Sequence, residues 1–93
     1  MNKKDSSQKS DRLINDTSKN YQLILLNDDV NSFDHVIQSL VSVCDFDYER
    51  AEQCTLLTHL KGQYPILSGP KDYLEKIQSE LFSKNITSKI IAK

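Results

Sequence analysis

Asn27, Asp28 and Asp29 stand side by side directly after an apolar run, and a histidine, His59, falls in a later stretch of helical spacing. Asn27 offers a side-chain carbonyl, the aspartates offer charged acceptors, and a neutral imidazole offers one acceptor nitrogen. Together they can take up the donors of an ammonium group. Their charge context leaves them free to do so. Between Lys19 and Arg50 there is no lysine or arginine, whereas Asp28, Asp29, Asp34, Asp45, Asp47 and Glu49 all lie in that stretch. Carboxylates without an internal cation suit an external one, an ammonium or a metal. Two aspartates merely solvated in a turn are an equally good reading of charge alone.

The neighbours of these groups narrow the chemistry. Leu25, Phe33, Val36, Thr55 and Thr58 are enough to wall a small apolar pocket. An ammonium beside a hydrophobic hole describes a free peptide N-terminus with a bulky first side chain. Charge-assisted hydrogen bonds contribute about 1.5–3 kcal/mol each, and burying one large side chain contributes about 1.5–3 kcal/mol. After association costs, micromolar binding, about 8 kcal/mol, is the natural scale. Catalysis is less well supported. Asp28 or Asp29 with His59 makes an acid–base pair, but no activated nucleophile accompanies it in an evident motif. A phosphate loop is not expected from a chain with 2 glycines. Asp28, Asp29 and His59 as metal ligands lack the usual closely spaced His and Cys partners, so no metal or other cofactor is expected. His35 reads as a solvent-facing helix residue. A binding module is favoured over an enzyme such as a small metal-dependent hydrolase.

The elements that must position these residues follow from periodicity. Tyr21–Leu26 is an apolar run of strand length, stopped by the turn-forming Asn27-Asp28-Asp29. Asn31 or Ser32 caps a helix with Asp34 in its first turn and Val36, Ile37, Leu40, Val41 and Cys44 at helical spacing. Asp47 caps a second helix from about Tyr48 to Lys61, and Gly62 supplies a left-handed stop. On that helix Leu56, Leu57 and Leu60 suit the core. Ala51, Thr55, Thr58 and His59 form a stripe that either lines a cavity or lets two helices approach closely, the latter being the simpler reading. Tyr64–Leu67 is a short strand that Pro65 confines to an edge. Pro70 opens a third helix, with Tyr73, Leu74, Ile77, Leu81 and Phe82 on its buried side and Lys84-Asn85 at its end. Ser88–Ala92 is a last strand. The expected fold is α+β, a two-layer sandwich in the order β-α-α-β-α-β, with three antiparallel strands covered on one face by three helices.

The whole chain has 93 residues, enough for one small domain. Residues 1–20 carry Leu13 and Ile14 as their only internal aliphatics and are expected to form a flexible extension, leaving 21–93 as the domain. A net charge of −1 and a pI near 6.1, without a basic stripe, argue against a nucleic-acid partner. No apolar run has bilayer-spanning length and no signal-peptide core is present, so a cytoplasmic, membrane-free protein is expected. Cys44 and Cys54 read as small reduced core residues.

From Tyr21 to Gly62 the chain resembles the bacterial Clp protease adaptor ClpS, the N-end-rule recognition family. The resemblance rests on the apolar strand followed by NDD, on the FDHVIQSL helix, and on DYERAEQCTLLTHLKG, which is similar to the family's ERA…HxxG helix. From Gln63 onward it is weaker but keeps the order of elements. It implies a compact α/β sandwich; the rival among binding proteins, a structural interaction domain of similar topology like the ribosomal stalk C-terminal domain, has no need of Asn27, Asp28, Asp29 or His59. It also implies an adaptor that binds N-degrons, substrates whose first residue is Leu, Phe, Tyr or Trp, and passes them to a ClpA- or ClpC-type AAA+ unfoldase for proteolysis. Asn27, Asp28, Asp29 and His59 would clasp the α-amino group. Leu25, Leu26, Asn31, Phe33, Val36, Thr55, Thr58 and Ile90 would line the side-chain pocket. The extension 1–20 would feed into the unfoldase, and Asp72 and Lys76 are candidates for docking on it. The chain departs from the family pattern at three places. Asn31-Ser32 replaces the usual Thr-Pro, while Phe33 and Thr55 stand where methionine is common. A threonine at 55 is expected to admit β-branched first residues that methionine excludes.

Overall fold

The computed structural model describes residues 21–93. The expected extension over 1–20 lies outside the described residues. The sequence YQLILL is apolar in both strand phases, and this puts β1 (Tyr21–Leu26) at the centre of the sheet. Strand order is β2-β1-β3, with β2 at Gln63–Gly69 and β3 at Ser88–Ala92, both antiparallel to β1. Leu23 and Leu25 face the helices and join the core cluster. Ile24 points the other way and is still only 3% exposed, flanked across the strands by Pro65 and Lys89. Pro65 lies on an edge strand as expected, beside the register shift at Leu23/Ile24, where a missing N–H costs least. The strand is longer than its apolar core suggested, because pairing with β1 continues from Gln63 to Gly69.

Helix α1 (Phe33–Cys44) starts at Ser32, whose hydroxyl accepts from the His35 N–H at 3.1 Å. Asp45, left-handed at φ 59°, ends it and turns the buried Phe46 inward. Helix α2 (Tyr48–Lys61) starts at Asp47, which accepts from Arg50 N–H at 2.8 Å. The Arg50 guanidinium stacks 3.9 Å over the Phe46 ring and donates to the Ile66 carbonyl at 3.1 Å, tying α2 to β2.

The sequence reading of α2 holds for its small stripe and fails for Leu56 and Leu60. Its buried residues are Ala51, Cys54, Thr55 and Thr58, while Leu56 is exposed and Leu60 is 67% exposed. The small stripe is buried because it lets α2 lie against α1. Helix α2 also lies against β2, α3 (Lys71–Phe82) packs on all three strands, and Ile37 and Leu40 of α1 with Leu74, Ile77 and Leu81 of α3 complete the core. On α3 the inner stripe is narrower than expected, for Tyr73 is exposed and Phe82 is 70% exposed. Residues 74, 77 and 81 share one line; 73 and 82 fall to either side of it. Pro70 is the N-cap of α3, one residue outside the helix. Asn85, at φ 67°, closes its other end, with the Ile86 N–H donating to the Leu81 carbonyl at 3.0 Å. Cys44 and Cys54 are free and buried, as expected, and burial pushes the Cys44 thiol up to about 11 and the Cys54 thiol up as well.

Gly62 ends α2 at φ 87°. Its N–H donates to the Thr58 carbonyl at 2.9 Å, and its own carbonyl accepts from the Asn27 N–H at 3.0 Å. An added Cβ would meet nothing within 4 Å, so the cost of Gly62→Ala is conformational. Urea denaturation of Gly62→Ala is expected to show a loss of about 1 kcal/mol.

Candidate functional site

The end of β1 brings the chemistry-bearing residues together. Asn27 is held by Gly62 at the end of α2, and the Leu26 N–H donates to the Thr87 carbonyl at 3.1 Å, just before β3. Where these segments meet the N-terminus of α1, a cavity of about 290 Å³ opens. It is lined by Leu25, Leu26, Asn27, Asp28, Asp29, Asn31, Ser32, Phe33, Val36, Thr55, Thr58, His59 and Ile86. All the residues expected at the amine clasp and pocket are therefore at this cavity, with one exception. Ile90 pairs with Leu23, further along the sheet, and packs at the edge of the core. Its place is taken by Ile86. Since Ser88 lies opposite Leu25 in antiparallel register, the residues just before β3, and not those within it, reach the cavity. Ser32 and Ile86 were missed by sequence reasoning; the register of β3 on β1 was the signal that would have found Ile86.

The floor is apolar although two of its residues are threonines. Thr55 Oγ1 donates to the Ala51 carbonyl at 2.8 Å and Thr58 Oγ1 to the Cys54 carbonyl at 2.7 Å. Both hydroxyl protons are thus taken by α2's own backbone, so neither threonine brings a free donor to the cavity. At the mouth, Phe33 and His59 form an edge-to-face pair, ring centroids 5.4 Å apart and planes at 73°.

The rim is polar and ordered around Asp28. Its Oδ1 accepts from the N–H groups of Val30 at 2.9 Å and Asn31 at 2.8 Å, and its Oδ2 accepts from Asn31 Nδ2 at 2.9 Å. The backbone bond from Asn31, helped by the Asn31 side chain and the Val30 N–H, holds the carboxyl below its ordinary value against a smaller effect of burial. A carboxylate has about four acceptor positions, so one remains at Oδ2. Asp29, Asn27 and His59 stand exposed beside it. No lysine or arginine lines the cavity. Such a site suits a ligand with a cation at its neck and an apolar body. Among the described residues no group of three His, Cys, Asp or Glu side chains is placed to hold a metal ion, and no helix is long and apolar enough to cross a membrane. Asp72 and Lys76 lie on the exposed side of α3 and do not line the cavity.

Comparison with known proteins gives a consistent picture. Residues 16–88 match the model of the family described as ATP-dependent Clp protease adaptor protein ClpS. The ATP-dependent Clp protease adapter protein ClpS of Thermosynechococcus vestitus is 33% identical over 69 residues, covering 73% of each chain. The protein of the same name from a Nostoc species is 31% identical over 81 residues, 86% of this chain and 84% of its own. Among solved structures, a ClpS protein of Agrobacterium tumefaciens bound to L-phenylalaninamide superposes with a TM-score of 0.69. That match covers 82% of this chain and 99% of the other at 15% identity, and shows the shared fold.

Proposed function

The chain belongs to the ClpS family of adaptor proteins of the ATP-dependent Clp protease, and we propose that it selects substrates by their N-terminus. The ligand is a peptide or protein with a free α-amino group and a bulky hydrophobic first residue, Leu, Phe, Tyr or Trp. The observation that carries this reading is the division of one cavity into an acceptor rim (Asn27, Asp28, Asp29, His59) and an apolar floor (Leu25, Val36, Thr55 and Thr58). An α-ammonium group has donors for the rim, and the first side chain, one bond from the same carbon, has room in about 290 Å³. Phenylalaninamide, the ligand of the Agrobacterium tumefaciens relative, joins a free amine and a benzyl group in this way.

The site binds without making or breaking bonds: a ClpA- or ClpC-type AAA+ unfoldase then receives the substrate, in the cytoplasm, with no nucleic acid or membrane involved. Asp72 and Lys76 on α3 are the proposed docking residues, and the extension 1–20 the segment that enters the unfoldase. A reporter protein beginning with Phe, incubated with reconstituted Clp protease and ATP, should be degraded only when the chain is added. The same reporter beginning with Ser should persist. Equal degradation of both reporters would remove the selection step from this reading.

Thr55 sets the breadth of selection. A methyl in place of a methionine side chain leaves room beside the first Cβ, so peptides beginning with Ile should bind several-fold more tightly to the native chain than to Thr55→Met, about 1 kcal/mol of retained packing. Equal binding in a titration of the two proteins would assign the boundary to Phe33.

A further inference from the structure

Asn31 lines the cavity, but its hydrogen bonds give it a different task. The loop between β1 and α1 has Val30 at its tip, 88% exposed, so packing does not fix it. What fixes it is Asp28, which accepts from the Val30 N–H at 2.9 Å, together with Asn31. Its backbone N–H and its Nδ2 both donate to Asp28, at 2.8 and 2.9 Å, and Nδ2 also donates to the Asn85 carbonyl at 2.8 Å. The left-handed turn at Asn85 brings that carbonyl to the loop. A parallel tie runs one helical turn away, where His35 Nε2 and the Lys84 carbonyl are 2.8 Å apart, a geometry in which the ring nitrogen is the donor.

We propose that Asn31 is a positioning residue, an amide brace that clamps the Asp28 carboxylate to the turn between α3 and β3 and so sets the orientation in which it meets the substrate's α-amino group. This rests on the reading of the cavity as an amine clasp. The turn at Lys84 and Asn85, which does not line the cavity, thereby becomes part of the recognition site. The amide is the group that the task demands. It has two N–H donors on one nitrogen, one for each acceptor, and a hydroxyl in its place has a single proton to give.

Asn31→Asp separates this role from that of a pocket wall, because it keeps the shape and replaces both donors by acceptors facing Asp28 and the Asn85 carbonyl. In a mere wall the new carboxylate would add a charged acceptor for the ammonium and cost no affinity. The brace predicts that affinity for a free-amine Phe peptide falls about tenfold in Asn31→Ala and further in Asn31→Asp. The preference for Phe over Ser at the first position should stay within about twofold of native in both, since the apolar floor is untouched. Amide hydrogen exchange without peptide supplies an independent readout: the Val30 and Asn31 amides should exchange faster in both variants. Native-like affinity in Asn31→Asp, or unchanged exchange at Val30 and Asn31, overturns the brace. A native chain that binds free and acetylated peptides alike overturns the amine clasp instead, and with it the brace's part in recognition.

Discussion

Asp28→Ala is expected to weaken binding of a free-amine Phe peptide at least about a hundredfold. The substitution removes a charged acceptor from the ammonium, a bond of about 1.5–3 kcal/mol, and also releases the Val30 and Asn31 N–H groups and the Asn31 amide that Asp28 now holds. Stability should fall much less, by about 1 kcal/mol, because the loop is exposed and hydrated when it opens. Asp28→Asn should lie between, keeping the shape but having one acceptor oxygen for three protein donors and the ligand. Isothermal titration of the three proteins checks the order. Native affinity in Asp28→Ala would show that the ammonium rests on Asn27, Asp29 and His59 alone.

Acid sensitivity follows from the same carboxyl. Its folded value lies below the ordinary 3.8, mainly through the Asn31 backbone bond. The contribution of Asp28 to stability is therefore fully present above that ordinary value and is lost as pH falls through the lower folded one. Urea midpoints of native protein and Asp28→Ala should accordingly converge as pH is lowered below about 4.

Thr55→Phe should block the other half of the site. The ring would occupy the space a first side chain needs, removing about 1.5–3 kcal/mol of burial, a ten- to hundredfold loss of affinity for Phe peptides. The fold should survive. Overpacking costs about 1–3 kcal/mol where a core is already full, but here a cavity of about 290 Å³ adjoins the residue. Thermal unfolding and peptide titration together check this prediction. Undiminished binding with an intact fold would place the first side chain elsewhere.

The parts of this site that could be read in the sequence are those set by local chemistry. Tyr21–Leu26, the turn at Asn27-Asp28-Asp29, the Asp47 cap and the Gly62 stop are each short-range signals, and each stands where it was expected. The inner face of α2 was not legible from hydrophobicity, because Leu56 and Leu60 are more apolar than Thr55 and Thr58. Only the closeness of α1 and the back-bonded hydroxyls explain why the threonines are buried. Ile90 was misplaced for a similar reason. An apolar residue on a strand says that it is buried somewhere, while the register of β3 on β1 decides that Ile86 reaches the cavity. The double use of the Asn31 amide was likewise out of reach, since its partner Asn85 is 54 positions away.

The central claim is that one cavity reads a free α-amino group and a bulky first side chain together. Fluorescence-anisotropy titration of two peptides that differ only at the first residue, Phe or Ser, each with a free and an acetylated N-terminus, tests it most directly. The account predicts binding in the micromolar range, about 8 kcal/mol, for the free Phe peptide alone, with acetylation or Ser each costing at least about tenfold. Equal binding of the free and acetylated Phe peptides would contradict it, because the acceptor rim around Asp28 would then have no part in recognition.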